Sequence, residues 1–187
     1  MKRLFIALPI ELNKTAKEEI INLQHQLAMY KIKWVSLENT HLTLVFLGDT
    51  DEIHLSTICD AIDSLESEFH KYQIELAGLS IFGNKRSPRV LWTRWLDNDE
   101  TKHLALSLQN KLTPLLSITE KNENFVPHLT LGRIKSLSNI DNFYDVLDKY
   151  SNFSFGKYII DRIILFESKL TSRGPLYTPL HTVKAIT

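Results

Sequence analysis

The sequence lacks the features of several common protein classes. Among its 187 residues there is one cysteine, Cys59, which excludes an internal disulfide and fits a reducing compartment. No apolar run approaches the length of a membrane span. The apolar run at 4–10 is broken by Pro9 and followed by Glu11, so we interpret it as a β-strand and not as a signal peptide. A soluble, cytoplasmic protein is expected.

An excess of charge of one sign is also missing. Lys+Arg 22 and Asp+Glu 22 give a formal net charge of +0. Without a bulk basic field, an anionic ligand must be held by a local patch, and binding of long nucleic acid is not indicated. No glycine-rich loop follows a predicted strand, which argues against a dinucleotide-binding or P-loop fold.

The spacing of apolar residues predicts strands and helices in mixed order, with several antiparallel neighbours, which is typical of an α+β fold. A helix is predicted at 13–30, with Asn13 as its N-cap. The segment KYIIDRIILFES, 157–168, predicts one long strand, and KLTSRGP, 169–175, a loop. Pro114 is expected to disrupt the last turn of a helix at 99–116.

The tetrapeptide HLTL occurs twice, at 41–44 and again 87 positions later at 128–131. In a strand, successive side chains alternate between the two faces. The leucines can therefore anchor each strand in a core while the histidine and threonine face a pocket. The two copies, one in each half of the chain, predict two similar lobes that contribute to a shared centre.

Two histidines and two hydroxyls in one pocket favour acid–base phosphodiester chemistry without a metal. Near neutral pH one imidazole can act as a base while the other acts as an acid. Arg133 follows His128 by five residues, which places it on the opposite face of an ideal strand. A bulge, or backbone freedom at Gly132, would return it to the pocket, where it could hold a phosphate in a two-pronged contact.

Other readings compete with this one. A single HxT motif is weak evidence, because most such histidines are structural. Neither copy has a nearby Asp, Glu or Cys at ligand spacing, so no metal or other cofactor is predicted. The remaining histidines are expected to be solvated or at the surface: His25, His54, His70, His103 and His181.

With these motifs the chain resembles the 2H phosphoesterase superfamily, named for two H-x-[ST]-x motifs. Within it, the chain is similar to the RNA 2′,3′-cyclic phosphodiesterase family, also called 2′-5′ RNA ligase. The matching segments are RLFIALPI (3–10), THLTLVFLGD (40–49), RSPRVLW (86–92), FVPHLTLGR (125–133) and LFESKLTSRGPLYTPL (165–180). The resemblance implies one domain over 1–187, with two pseudo-symmetric lobes whose antiparallel sheets face a central cleft.

The resemblance also implies an activity: hydrolysis of RNA 2′,3′-cyclic phosphate termini to 2′-phosphomonoester ends, with possible reversal to form a 2′-5′ linkage. It assigns His41 as proton donor and His128 as proton acceptor, with Thr43, Thr130 and Arg133 as substrate-binding residues. The expected partner is an RNA 3′ terminus, no membrane is involved, and the expected state is a monomer.

Two alternatives remain open. One is another 2H activity, on a cyclic phosphate of ADP-ribose or on 2′-5′ oligonucleotides. The other is a nucleotide-binding module without turnover. Further candidates are arginines at the cleft mouth and aromatic residues for base stacking, although each could equally be a surface or core residue. They are Arg86, Arg89, Arg173, Phe5, Trp34 and Tyr177.

Overall fold

The computed structural model describes residues 1–97, 99–116, 124–172 and 174–186, which form two antiparallel sheets and four α-helices. The strands are β1 (Lys2–Pro9), β2 (Lys31–Trp34), β3 (His41–Thr50), β4 (Tyr72–Asn84), β5 (Ser87–Leu96), β6 (His128–Ser136), β7 (Ser154–Ile160), β8 (Arg162–Thr171) and β9 (Gly174–Lys184). The helices are α1 (Lys14–Gln26), α2 (Leu55–Asp63), α3 (Glu100–Leu116) and α4 (Ile140–Lys149), and a 3-10 turn covers Glu52–His54.

The two sheets repeat one strand order. The first sheet has the order β3-β1-β8-β9 and the second has β2-β6-β5-β4-β7. All recorded pairings between these strands are antiparallel. If β2 is set aside, β3 corresponds to β6, β1 to β5, β8 to β4 and β9 to β7. The predicted α+β fold with two antiparallel sheets is confirmed.

The helices interlock the two sheets. α1 follows β1 of the first sheet but packs against β7 of the second, and α3 follows β5 of the second but packs against β3 of the first. Side chains from both sheets and the helices form one continuous hydrophobic cluster. The chain therefore builds its two halves around a shared core.

The leucines of the two HLTL motifs are part of this core, as predicted. Leu42 and Leu129 are 0% exposed, and Leu44 and Leu131 are 2% exposed. Complete burial of a leucine side chain is worth about 1.5–3 kcal/mol, so four of them fix the orientation of β3 and β6 firmly. The alternate residues consequently face away from the core, and the histidine and threonine of each motif are half-buried.

The prediction of one long strand at 157–168 is wrong. This segment contains two strands: β7 ends at Ile160 and β8 begins at Arg162. The two strands lie in different sheets. Within the predicted loop at 169–175, residues 169–171 instead complete β8 and residues 174–175 open β9, and the two strands pair as a long antiparallel hairpin. Strand periodicity cannot reveal that the chain changes sheets at Asp161, since both halves carry the same pattern.

The structure confirms the predicted N-cap of α1 but not the predicted disruption of α3 at Pro114. Asn13 caps α1 as predicted, since its Oδ1 accepts a hydrogen bond from the Ala16 N–H at 2.8 Å. By contrast, α3 continues through Pro114 to Leu116. Pro114 and Asn110 are exposed, so water can bond to the Asn110 carbonyl that lacks an amide partner.

Among the described helices, none combines the length and apolarity needed to span a membrane.

Candidate active site

The two motif histidines lie on the strands through which the two sheets contact each other. His41 and His128 are the first residues of β3 and β6, and these two strands contact one another. The rings are close enough that a positive charge on His128 lowers the pKa of His41. The structure thus brings together the two histidines that the sequence places 87 positions apart.

Each imidazole is oriented by the same backbone contact. His41 Nδ1 lies 2.7 Å from the Asn39 carbonyl oxygen, and His128 Nδ1 lies 2.8 Å from the Val126 carbonyl oxygen. A carbonyl only accepts, so both Nδ1 atoms must carry the proton and donate. In the neutral ring, Nε2 then has a free lone pair. Both rings are therefore held in the tautomer that a base acting through Nε2 requires.

Aromatic side chains of the first sheet enclose His41. Its ring centroid lies 5.0 Å from that of Phe5 and 5.3 Å from that of Tyr177. Phe5 also stacks on Phe166 at 5.3 Å. Phe5 is 4% exposed and forms the floor beneath His41, whereas Tyr177 is half-buried beside it. Of the three stacking candidates, Tyr177 lies at the site and Phe5 belongs to its floor.

The second sheet encloses His128 in the same way. The His128 ring lies 4.7 Å from Phe82 and 5.6 Å from Trp92, both edge-on. Phe82 and Trp92 stack on each other at 4.7 Å. A pair of stacked aromatic rings thus supports each histidine. The two pairs come from corresponding strands, β1 and β8 in the first sheet and β5 and β4 in the second.

Burial sets the protonation of both histidines. Desolvation is the largest effect and lowers both pKa values from the usual 6.5, because the charged ring is less well hydrated inside the site. The hydrogen bonds to the backbone carbonyls act in the opposite direction. Positive charge acts with burial: His128 lowers the pKa of His41, and Arg133 lowers the pKa of His128.

A bulge in β6 determines where Arg133 points. Trp92 pairs with Thr130, but Leu91 pairs with Gly132, so Leu131 is an extra residue in β6. Residues after the bulge change face, which places Arg133 on the same face as Thr130. Arg133 is opposite Val90, two residues from Trp92 on that face. Burial raises the pKa of Tyr177 on the facing sheet, and the positive charge of Arg133 opposes this rise.

Gly132 has a different role from the one predicted. Its φ is not positive, so the bulge does not depend on the conformational freedom of a glycine. A Cβ at this position would lie 2.7 Å from Ile32 Cγ2 and 3.3 Å from Trp34 Cε3. Gly132 is therefore required by close packing against β2. Trp34 fills this core-side space and is not placed for base stacking in the cleft.

The first sheet contains the same bulge, which the sequence reasoning missed. Ala7 pairs with Thr43 and Ile6 with Val45, so Leu44 is the extra residue in β3. The residue that returns to the cleft face is Phe46, five residues after His41 as Arg133 is after His128. Phe46 is 52% exposed. Aligning HLTLVF with HLTLGR would have identified this position.

The remaining candidates are placed as follows. No hydrogen bond is recorded between the hydroxyl of Thr43 or Thr130 and any other residue the structure describes, so both are available to a ligand. Arg86 is exposed in the β4–β5 turn and lines a small pocket of about 130 Å³ with Lys135. Arg89 is exposed on β5. Arg173 lies outside the described residues.

The other histidines are remote from the pair. His181 Nε2 lies within hydrogen-bond distance of Asp63 Oδ1, at 2.6 Å, and the His181 side chain is 28% exposed. His70 and His103 line a cavity of about 460 Å³ between the start of β4 and α3, which contains neither motif histidine. In the parts of the chain that are described, no three His, Cys, Asp or Glu side chains are grouped to hold a metal ion.

Comparisons with known proteins show which family this chain resembles. A family model described as LigT like Phosphoesterase matches residues 10–92 and 96–177. The chain is 35% identical over 175 residues to the RNA 2′,3′-cyclic phosphodiesterase of Methanocaldococcus jannaschii, covering 94% of this chain and 96% of that protein. It is 34% identical over 182 residues to the protein of the same name from Thermotoga maritima, covering 96% and 93%.

Solved structures share the fold. The crystal structure of TT0787 of Thermus thermophilus matches with a TM-score of 0.78 at 25% identity, covering 97% of each chain. The structure of E. coli LigT complexed with 3′-AMP matches with a TM-score of 0.75 at 21% identity, covering 100% of this chain and 99% of that one. The predicted family is confirmed: this chain belongs to the LigT-like 2H phosphoesterases.

Proposed function

We propose that this protein hydrolyses RNA 2′,3′-cyclic phosphate termini to 2′-phosphomonoester ends. The observation that carries the proposal is the pair of equivalent imidazoles, each held through Nδ1 so that Nε2 of the neutral ring keeps a free lone pair. Relatives at 33–35% identity over most of the chain bear the name of this activity. Binding alone would not require two matched acid–base groups, which disfavours a module without turnover.

The proton transfers follow from the product. To leave a 2′-phosphate, the bond from phosphorus to O3′ must break, so water attacks phosphorus opposite O3′. Following the assignment that the family resemblance implies, His128 Nε2 takes a proton from the attacking water. His41, protonated on both nitrogens, donates its Nε2 proton to the leaving O3′. After turnover the two histidines have exchanged protonation states, and solvent restores the original ones.

The groups around the phosphate stabilise the transition state in this proposal. The hydroxyls of Thr43 and Thr130 lie two residues after the histidines on the same faces, where they can donate to non-bridging oxygens. Arg133 supplies the positive charge that the extra negative charge on the phosphorane-like species needs. Because these donors are fixed on strands with buried leucines, they need little reorganisation during the reaction.

The lowered pKa values constrain the mechanism. At neutral pH both histidines of the free enzyme are mainly neutral, which suits the base but not the acid. An anionic cyclic phosphate between the rings favours imidazolium, since opposite charges attract. Substrate binding would thus supply the proton donor only when a phosphate is present.

We propose further that the chain acts as a single two-lobed, monomeric unit in the cytoplasm. The interlocked helices and the shared hydrophobic cluster support one unit. Cys59 is a free thiol, consistent with a reducing compartment. Size-exclusion chromatography with light scattering would test the monomer.

A substrate panel tests the activity against its alternatives. The protein would be incubated with a short RNA ending in 2′,3′-cyclic phosphate, with a cyclic phosphate of ADP-ribose and with a 2′-5′ oligoadenylate. We expect the highest kcat/KM on the RNA. Higher kcat/KM on either of the other substrates would favour another 2H activity, and binding of all three without turnover would favour the binding module.

A further inference from the structure

Two positive side chains stand directly opposite each other beside the candidate phosphate site. In the antiparallel pairing of β2 with β6, Lys33 is the cross-strand partner of Arg133. Cross-strand partners project on the same face, so Lys33 also lies on the cleft face. Ile32 and Trp34, its neighbours on β2, point to the core side against Gly132. β2 is the edge strand of its sheet, and Lys33 is exposed.

Like charges directly opposite each other in a sheet are destabilising. Neither Lys33 nor Arg133 forms an ion pair with any carboxylate among the described residues. The segments KIKW (31–34) and HLTLGRIKS (128–136) contain no Asp or Glu. At the other edge of the same sheet, Lys157 is paired with Glu75, which is the usual arrangement. The Lys33–Arg133 pair is thus suited to an external anion with more than one negative charge.

The position of the pair indicates which anion. Arg133 lies near His128 and is assigned above to the cyclic phosphate at the RNA end. Lys33 is one strand further from the histidines, at the rim of the cleft. An RNA chain that enters from this rim carries one more phosphodiester next to its terminal nucleotide, with a full negative charge. Tyr177 interacts electrostatically with Arg133 and provides a half-buried aromatic ring on the facing sheet.

We propose that Lys33 binds the phosphodiester that joins the last two nucleotides of the substrate, so that the cleft recognises an RNA chain and not only its terminal nucleotide. This inference rests on the proposed function. It also accounts for how a chain with a formal net charge of +0 can select RNA ends. The positive side chains that bind RNA are placed next to the two phosphates they contact and are not spread over the protein surface.

Steady-state kinetics on two substrates tests the proposal. One is adenosine 2′,3′-cyclic phosphate, and the other is the dinucleotide ApA ending in 2′,3′-cyclic phosphate. We expect a higher kcat/KM for the dinucleotide. In Lys33→Ala the ratio of the dinucleotide value to the mononucleotide value should fall about tenfold, the effect of losing one charged hydrogen bond. A general effect on the site or on folding cancels in this ratio. Lys33→Arg should largely restore it.

Salt dependence and a matched variant complete the test. Lys33→Ala should reduce the slope of log kcat/KM against log salt for the dinucleotide by about 0.7, the value for one phosphate contact on a single strand. Lys157→Ala, which removes the same charge from the other edge of the sheet, should change neither ratio nor slope. A wild-type ratio near one, or a ratio and slope unaltered by Lys33→Ala, would overturn this inference alone. Absence of turnover on both substrates would overturn the proposed function as well.

Discussion

Phe46 and Arg133 occupy equivalent positions in the two sheets, one as an exposed aromatic ring and the other as a guanidinium. Each follows its histidine by five residues, and each is returned to the cleft face by one extra leucine in its strand. The Arg3 guanidinium carbon lies 4.9 Å from the centroid of the Phe46 ring. The histidines and threonines are matched between the sheets, but this pair is not. From this difference we expect the phosphate to bind towards Arg133 and a base to bind towards Phe46.

Replacement of Phe46 tests this expectation. Stacking of a base on an aromatic side chain is worth about 1–3 kcal/mol, so Phe46→Ala should raise KM for an RNA 2′,3′-cyclic phosphate with little change in kcat. Phe46→Trp should retain the wild-type KM because it keeps a flat aromatic face. Ile159→Ala, which alters an exposed apolar residue on β7, is the control. An unchanged KM in Phe46→Ala would mean that the base binds elsewhere.

The two histidines should be separately essential. His41→Ala and His128→Ala should each lower kcat on the order of a hundredfold or more, since each removes one proton-transfer group. His181→Ala, which removes the hydrogen-bond contact with Asp63 outside the cleft, should retain full kcat. Circular dichroism and thermal unfolding would verify that the variants are folded. Wild-type rates in either motif variant would show that its histidine is structural.

The pH dependence follows from the lowered pKa values. The proposed mechanism requires one neutral and one protonated histidine, so kcat/KM should be bell-shaped with apparent pKa values that belong to the pair. Because burial and nearby positive charge lower both pKa values, imidazolium is lost already below the usual value of 6.5, and the maximum of kcat/KM should lie below pH 6.5. The maximum of kcat should lie at higher pH, since bound phosphate favours imidazolium. A maximum of kcat/KM on the alkaline side of 6.5 would contradict this.

Arg133 should affect both the rate and the pH profile. Arg133→Ala should cost roughly 2–4 kcal/mol of transition-state stabilisation, comparable to losing one oxyanion donor. Arg133→Lys should cost less but remain impaired, because an ammonium lacks the two-pronged fit. Loss of the positive charge should also move the kcat/KM profile of the alanine variant to higher pH, since Arg133 lowers the pKa of His128. A near-normal kcat/KM in Arg133→Ala would place this side chain outside the site.

Sequence patterns anticipated those features that depend on neighbouring residues. Alternation along HLTL predicts buried leucines such as Leu42 and Leu129, and a side-chain acceptor before an apolar helix predicts the Asn13 cap. The features that were missed depend on partners distant in the chain. The bulge at Leu44 exists only relative to β1, and the change of sheet at Asp161 depends on which strands β7 and β8 pair with.

Arg133 shows both what the sequence could predict and what it could not. The alternation of side chains along an ideal strand places Arg133 on the face opposite His128. From the sequence, only a bulge or the backbone freedom of Gly132 could be named as a means of returning it to the cleft face. The register between β5 and β6 contains the bulge, while Gly132 is needed for packing against Ile32. The role of the glycine could not be predicted because β2, which it contacts, lies about a hundred residues away in the sequence.

The identity of the terminal product after reaction in EDTA tests the two-histidine mechanism most directly. A short RNA ending in 2′,3′-cyclic phosphate would be incubated with the protein after exhaustive chelation, and the end would be analysed by mass spectrometry and by chromatography against 2′- and 3′-phosphate standards. We expect undiminished turnover and a 2′-phosphomonoester as the sole product, because in the proposed mechanism His41 protonates O3′ as it leaves. Activity that is lost in EDTA and restored by a divalent ion, or a product that carries a 3′-phosphate, would contradict this mechanism.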